Sequence, residues 1–360
     1  MSRFEVDLRS DTVSAPSPAM RRAMAEAEVG DAWYGDDPTV NRLQDLAATR
    51  LGFEAALYVP TGTMANQIAL ALHAGTNGHL VAASAASHVA TTEVMTAAAV
   101  SGIAFRTVDP GPRGWIDAAQ AQALLEPDSY YDVEVVDLLC VENTIGAAGG
   151  RVMPLEDLRA VRTVAEQAGT PVHLDGARLF NAAAALGADP AEVARHADTA
   201  MFCVSKGLGA PIGSLLCGPA AMMPEARRLW ILFGGAWRQA GITAAAGIVA
   251  LEEGPGRLPE DHGRARRLAE GVADRLPGSI DLAQVETNMV LVDTEAVGLG
   301  VLETVERLEG LGVGVTHTGN RVRMVTHLDV SDEGVGRALD AWAALAASAS
   351  SAAGAGAKEG

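Results

Sequence analysis

The 360-residue chain predicts an α/β protein whose main domain carries a mainly parallel sheet, followed by a small α+β domain. Three observations carry that prediction. From residue 55 onward, short apolar runs alternate with helical spacings. One run, Thr199-Ala-Met-Phe-Cys-Val204, ends in Ser205-Lys206 and then breaks into glycines, as a buried strand does when it delivers a side chain to a sheet edge. After Gly241 the texture changes, and an alanine-rich helix leads to Gly254-Pro-Gly256, a natural boundary.

Taken in order, residues 5–13 form a polar extended opening closed by Pro16 and Pro18. A short helix carries Met20, Met24 and Ala27 and ends near Gly30. Asp31-Ala-Trp-Tyr-Gly-Asp-Asp-Pro-Thr39 is dense in turn formers and aromatics, the composition of a packed or a functional loop. Helix 40–51 places Leu43, Leu46 and Ala47 on one face. Strands are expected at 55–59, 80–83, 103–108, 135–141, 171–175 and 200–204, with helices at 65–73, 87–100, 155–168 and 177–186 between them. A last strand at 212–217 follows too short a turn for a parallel crossover and should run antiparallel. Beyond the boundary come helix 260–275, strand 289–293, helix 301–310, strands 313–317 and 321–326, and helix 333–347. The expected divisions are an N-terminal segment 1–18, a large domain 19–253, a small domain 257–347 and a disordered Ala/Ser/Gly-rich tail 348–360.

A formal net charge of −18 argues against nucleic acid or an anionic membrane as partner, since either wants a basic face. No stretch approaches a membrane span, and the N-terminus lacks the apolar core of a signal peptide. Cys140, Cys203 and Cys217 all lie in apolar runs without metal-ligand spacing, which predicts reduced core thiols, a cytoplasmic protein and no metal site.

Lys206 and the tail residue Lys358 are the only lysines, and every other basic side chain that is not histidine is arginine. A guanidinium stays protonated, whereas a desolvated lysine can lose its proton and attack a carbonyl, so Lys206 points to amine chemistry. Asp175, in His173-Leu-Asp-Gly-Ala-Arg178, ends a neighbouring strand at the crevice where parallel sheets bind ligands. An aspartate there also suits an N-cap. Lysine and carboxylate together meet the needs of pyridoxal phosphate, an aldehyde that a lysine can hold and a pyridine nitrogen that a carboxylate keeps protonated. Thr61-Gly-Thr63 opens a helix with free backbone N–H groups and a hydroxyl, a phosphate site once the other two are present. His88, at a helix start, can cover a ring face and exchange protons. Arg178 and Arg323 offer planar forks for a substrate carboxylate.

These residues resemble the threonine aldolases, fold-type-I pyridoxal phosphate enzymes of the β-eliminating lyase group, over roughly residues 6–330. Asp7-Leu-Arg-Ser-Asp-Thr-Val13, Tyr34-Gly-Asp-Asp-Pro-Thr39 and Pro60-Thr-Gly-Thr-Met-Ala-Asn66 are similar to the family's opening, second signature and phosphate loop. His173-Leu-Asp-Gly-Ala-Arg-Leu-Phe-Asn181 and Ser205-Lys-Gly-Leu-Gly-Ala-Pro211 match almost letter for letter. Gly234-Gly-Ala-Trp-Arg-Gln-Ala-Gly241 and Arg321-Val-Arg-Met-Val-Thr-His327 complete the set. The resemblance implies an aspartate-aminotransferase-like large domain with a mainly parallel seven-stranded sheet. It implies that Lys206 holds the cofactor, Asp175 pairs with the ring nitrogen and His88 stacks on the ring. Gly62 and Thr63 would bind the phosphate, with Arg238 reaching in from a neighbouring subunit and Arg178 among the cofactor-binding groups. Ser10, Arg178 and Arg323 would hold the substrate carboxylate, and Tyr34 would complete the site from the partner chain of a homodimer or homotetramer. The implied reaction is cleavage of a β-hydroxy-α-amino acid to glycine and an aldehyde, with His88 or an ordered water as base.

One departure stands out. The family's Glu-Asn-Thr-His reads Glu142-Asn-Thr-Ile145 here, and Ile145 can neither donate nor accept a proton near the substrate's β-hydroxyl. An apolar group there suits a larger β-substituent, or β-elimination, transaldol exchange or side-chain replacement on the same scaffold. A lesser departure is Gly235-Ala-Trp237, where the family tends to have a third glycine and methionine. A pyridoxal-phosphate-binding protein without catalysis is the reading from a different class.

Overall fold

The computed structural model describes residues 3–74, 79–126, 135–295 and 298–356. Its strands are β1 (Val6–Asp7), β2 (Ala55–Val59), β3 (Leu80–Ser84), β4 (Ala104–Val108), β5 (Leu138–Glu142), β6 (Val172–Asp175), β7 (Thr199–Cys203), β8 (Ser214–Gly218), β9 (Met289–Asp293), β10 (Val313–Gly314), β11 (Thr316–Thr318) and β12 (Arg321–Val325). Its helices are α1 (Pro18–Ala25), α2 (Pro38–Leu51), α3 (Gly62–Ala74), α4 (His88–Thr91), α5 (Val94–Ser101), α6 (Ala118–Leu125), α7 (Leu155–Ala168), α8 (Leu179–Leu186), α9 (Pro190–Ala194), α10 (Met223–Leu232), α11 (Gly241–Arg275), α12 (Val301–Gly310) and α13 (Asp332–Gly356).

The chain forms two units, Pro16–Gly256 and Met1–Ala15 with Arg257–Gly360. In the first, seven strands lie in the order β2-β8-β7-β6-β5-β3-β4. The pairs from β7 through β4 are parallel, and β8 is antiparallel to both its neighbours, as the short turn before it predicts. Strand β7 is buried at every position, so it reads as a continuous apolar run and not as an alternation. Residues on β3 and β5 pack with α3, α5 and Ile103 in a core of Leu70, Val81, Ala83, Ala97 and Leu138.

The second unit has a three-stranded antiparallel sheet, β11-β12-β9, and a parallel pair, β1-β10. The N-terminal segment, expected to stand apart, is built into this unit. Val6 pairs with Val313, and Val6 and Leu8 enter a core with Leu268, Val322, Met324 and Trp342. Gly314 admits that segment, because a Cβ there would lie 2.4 Å from the Phe4 ring.

Three expectations need correction. Gly254-Pro-Gly256 lies where the two units divide, yet it does not end a helix, since α11 runs through it. The buried stripe Ala250, Leu251, Gly254, Leu258 keeps helical spacing across the proline, and a Cβ on Gly254 would meet Leu208 Cδ2 at 3.0 Å. The single helix expected at 87–100 is two, α4 and α5, broken at Thr92-Glu93, where Glu93 N-caps α5. The tail is helical as far as Gly356, because alanine continues a docked helix at little cost; residues 357–360, including Lys358, lie outside the described residues.

Candidate active site

The site gathers at the carboxyl ends of adjacent parallel strands, where the crevice of a doubly wound sheet lies. Strand β6 ends in Asp175, 2 % exposed. The turn after it is tied to β7, for Gly176 N donates to Met201 O (3.0 Å), and a Cβ at Gly176 would lie 2.6 Å from that same oxygen. Only glycine lets the two strand ends lie this close.

Strand β7 leads into Ser205-Lys206, and its turn is held mainly by backbone hydrogen bonds, with the Tyr58 hydroxyl donating to Ile212 O (3.5 Å). Gly209 N donates to Lys206 O (2.8 Å), Ala210 N to Val204 O (2.9 Å) and Val204 N to Gly213 O (3.1 Å). Gly213 has φ +111°, and a Cβ there would meet Tyr58 Cε2 at 2.4 Å. Among the described residues, no carboxylate pairs with the Lys206 amine.

After β3, His88 opens α4 with its side chain 46 % exposed. Its Nδ1 lies 2.6 Å from Glu93 Oε1, and that hydrogen bond raises the imidazole pKa above its ordinary 6.5, against partial desolvation and the opposing charge of Lys206. Its Nε2 has no protein partner among the described residues. Glu93 is 1 % exposed and also accepts from Asn66 Nδ2 (3.0 Å) and Gln67 Nε2 (3.0 Å).

Asp175 Oδ2 accepts from the same Asn66 Nδ2 (2.8 Å), and its Oδ1 from Ala177 N (3.1 Å). So Asp175 stabilises the turn before α8 and is not that helix's N-cap, a position Arg178 occupies. Glu142, beside Asp175 in the sheet, accepts from His88 N (2.8 Å) and Gly146 N (2.7 Å). Burial, with the Asp175 charge next in weight, pushes its carboxyl up to about 7.

Helix α3 begins at Gly62, packed so that a Cβ would meet Cys203 Sγ and Met201 Cε at 2.9 Å. Thr61 Oγ1 accepts from Met64 N (3.1 Å), while the Gly62 and Thr63 N–H groups remain open in the first turn beside exposed Thr63. These amides lie against the end of β7, the strand that delivers Lys206.

The other predicted residues are not hydrogen-bonded into this cluster. Ile145 is 2 % exposed and lines a small cavity with Trp115, Ile116 and Met153. Arg238 is exposed, stacks over the Trp33 ring (4.9 Å) and reaches Asp31 (3.5 Å). Tyr34, on the same loop, is 76 % exposed. Trp237 packs against Tyr58, ring centroids 5.0 Å apart. Ser10 and Arg323 belong to the other unit, where Ser10 Oγ caps a turn through Thr12 N (3.2 Å) and Arg323 Nη2 donates to Arg9 O (3.2 Å). Sequence reasoning missed Glu93 and the role of Asn66. Glu93 follows His88 by five residues, off any helical face, and reaches it only because the chain breaks between α4 and α5.

A pyridoxal phosphate fits these residues. Asp175 is a buried carboxylate whose donors among the described residues are neutral amides, and burial of an anion calls for a cation such as a protonated pyridine nitrogen. The unpaired amine, the open imidazole face and the open Gly62 and Thr63 amides match the rest of such a molecule.

Residues 7–296 match the family described as beta-eliminating lyase. Over 345 residues the chain is 39 % identical to the low specificity L-threonine aldolase of Escherichia coli K12, covering 95 % of this chain and 99 % of that protein. It is 37 % identical over 333 residues to low-specificity L-threonine aldolase 1 of Arabidopsis thaliana, covering 92 % and 93 %. The solved structure of Leishmania major threonine aldolase superposes with a TM-score of 0.76 at 19 % identity, covering 95 % of this chain and 99 % of that one, a likeness of fold.

Proposed function

The chain belongs to the β-eliminating lyase family, and from that membership we propose a pyridoxal-phosphate-dependent lyase that cleaves a β-hydroxy-α-amino acid to glycine and an aldehyde. Threonine, allo-threonine and bulkier analogues are its substrate class. The observation that carries the reading is the buried Asp175 carboxylate, without a cationic partner of its own, next to the His88–Glu93 pair and the strand end that bears Lys206.

When bound, pyridoxal phosphate supplies an aldehyde for covalent attachment and a protonated ring that withdraws electrons from the bond being broken. Lys206 is the group to hold it, and Asp175 the group to keep its ring nitrogen protonated. The open amides of Gly62 and Thr63 suit its phosphate, with Arg178 a further contact. Arg178 is the group of this unit that suits the substrate carboxylate. His88 is held against Glu93 with Nε2 open, so its neutral form can take the β-hydroxyl proton. Its raised pKa means that the rate rises with pH through that value. The exposure of Tyr34, Arg238, Ile231 and Leu232 supports a subunit interface, through which Tyr34 and Arg238 complete a neighbouring site in a homodimer or homotetramer. Three buried free cysteines fit a reducing, cytoplasmic setting.

Ile145, buried in an apolar wall, favours a second reading: β-elimination or side-chain replacement on the same scaffold. Incubating the holoenzyme with L-threonine, L-allo-threonine and phenylserine separates the two. Equimolar glycine and aldehyde support the aldolase; keto acid and ammonia without glycine refute it.

A further inference from the structure

We propose that Asn66 is a positioning residue for this site: its amide lies between the His88–Glu93 pair and Asp175, holds both carboxylates in place, and is backed by a His173–Thr199–His73 chain whose proton positions are compatible only with that orientation. The inference rests on the reading of Asp175 and His88 as the groups that meet the cofactor.

Two buried carboxylates lie close together here. Atoms of His88, Glu93 and Asp175 lie within 4.8 Å of one another, and both acids are buried. Like charges that close repel unless something donates to both. Asn66 Nδ2 does so, 3.0 Å from Glu93 Oε1 and 2.8 Å from Asp175 Oδ2. A carboxylate oxygen offers no proton, so the nitrogen of the amide must face this side and Oδ1 the other.

Oδ1 lies 3.2 Å from His173 Nε2 and can only accept, so that nitrogen carries hydrogen. His173 is wholly buried, and burial pushes its pKa down to about 3, so the ring is neutral and Nδ1 is bare. Nδ1 then accepts from the Thr199 hydroxyl (2.9 Å), whose oxygen accepts in turn from His73 Nε2 (2.9 Å). His73 is likewise neutral, burial taking it down to about 4. Each proton position follows from the one before it, and reversing any link sets two acceptors face to face. Glu142, Cys140, Lys206 and, at the His73 end, Asp198 are the remaining titratable groups that act on this cluster, and none of them bonds Asn66.

The test is made on the cofactor-free, full-length protein by imidazole nitrogen NMR, so it does not depend on turnover. In the wild type, His173 should appear as the neutral Nε2–H tautomer from pH 6 to 9; an Nδ1–H tautomer would reverse the chain and overturn the proposal, whether or not any variant folds. In Asn66→Leu, Glu93 loses a donor that competes with His88, so the His88 midpoint should rise by about half a pH unit or more. The His173 Nε2–H signal should shift as its acceptor is lost. Reconstituted Asn66→Leu should lose at least about tenfold in kcat with KM for the amino acid nearly unchanged. A folded variant in which the His88 midpoint, the His173 signal and kcat all stay at wild-type values would overturn it. If the NMR behaves as expected and no glycine forms in the wild type, Asn66 is placed correctly and the functional reading fails.

Discussion

The two sides of the candidate site are built in opposite ways. On the β5–β6 side, His88, Glu93, Asn66, Asp175 and His173 are joined side chain to side chain, and all but His88 are buried. On the β7 side, the turn carrying Lys206 is held by backbone hydrogen bonds and by glycines, and its amine pairs with no carboxylate among the described residues. Groups that must stay in place are cross-linked, whereas the group expected to react is left free on a rigid turn. Buried polar networks specify geometry when every member is satisfied, and an unpaired amine is the one available for bond formation.

The comparison breaks first at its free side. Lys206→Ala should lower turnover by at least about 10³-fold and leave the melting temperature of the cofactor-free protein nearly unchanged, since the side chain makes no protein bond to lose. Steady-state assays and thermal melts check both halves. On the cross-linked side, Asp175→Ala should cost about 10² to 10³-fold in turnover and also destabilise the cofactor-free chain, because Asn66 and Ala177 lose their acceptor. An unchanged melt there would erase the distinction between the sides.

Gly213→Ala tests the rigidity of the Lys206 turn. At φ +111°, with a Cβ that would fall 2.4 Å from Tyr58, it should destabilise by about 2–4 kcal/mol in a denaturant titration.

How much of this was legible in the sequence differs between the two sides. Lys206 announces itself, since arginine serves elsewhere, and the short turn to residues 212–217 foretells that β8 runs antiparallel. Asp175 and His88 are visible as members of a chemistry. Asn66 and Glu93 are not, because their roles come from strand order and from a helix broken at Thr92-Glu93, neither of which a residue pattern encodes. Gly254-Pro-Gly256 lies where the units divide but misleads as a helix break, for a related reason: local helix-breaking residues are overruled by a buried stripe that continues through them. Ile145 is a departure in sequence whose placement, in an apolar wall, only the fold supplies.

The smallest expected effect is electrostatic. The hydrogen bond to Glu93 raises the His88 pKa above the unfolded 6.5, so its contribution to stability is fully present below about pH 6.5 and is lost as pH rises through the folded value. The melting-temperature gap between wild type and Glu93→Gln, measured without cofactor, should therefore narrow from pH 6 to pH 9. A gap that widens would mean that His88 is not protonated against Glu93.

The central claim is that the free amine at the end of β7 binds an aldehyde. Borohydride reduction of the pyridoxal-phosphate-loaded protein, followed by proteolysis and mass mapping, addresses it directly. A single stable pyridoxyl adduct, on Lys206, is expected. A colourless protein that takes up no pyridoxal phosphate, or an adduct only at Lys358 or the N-terminus, would contradict it.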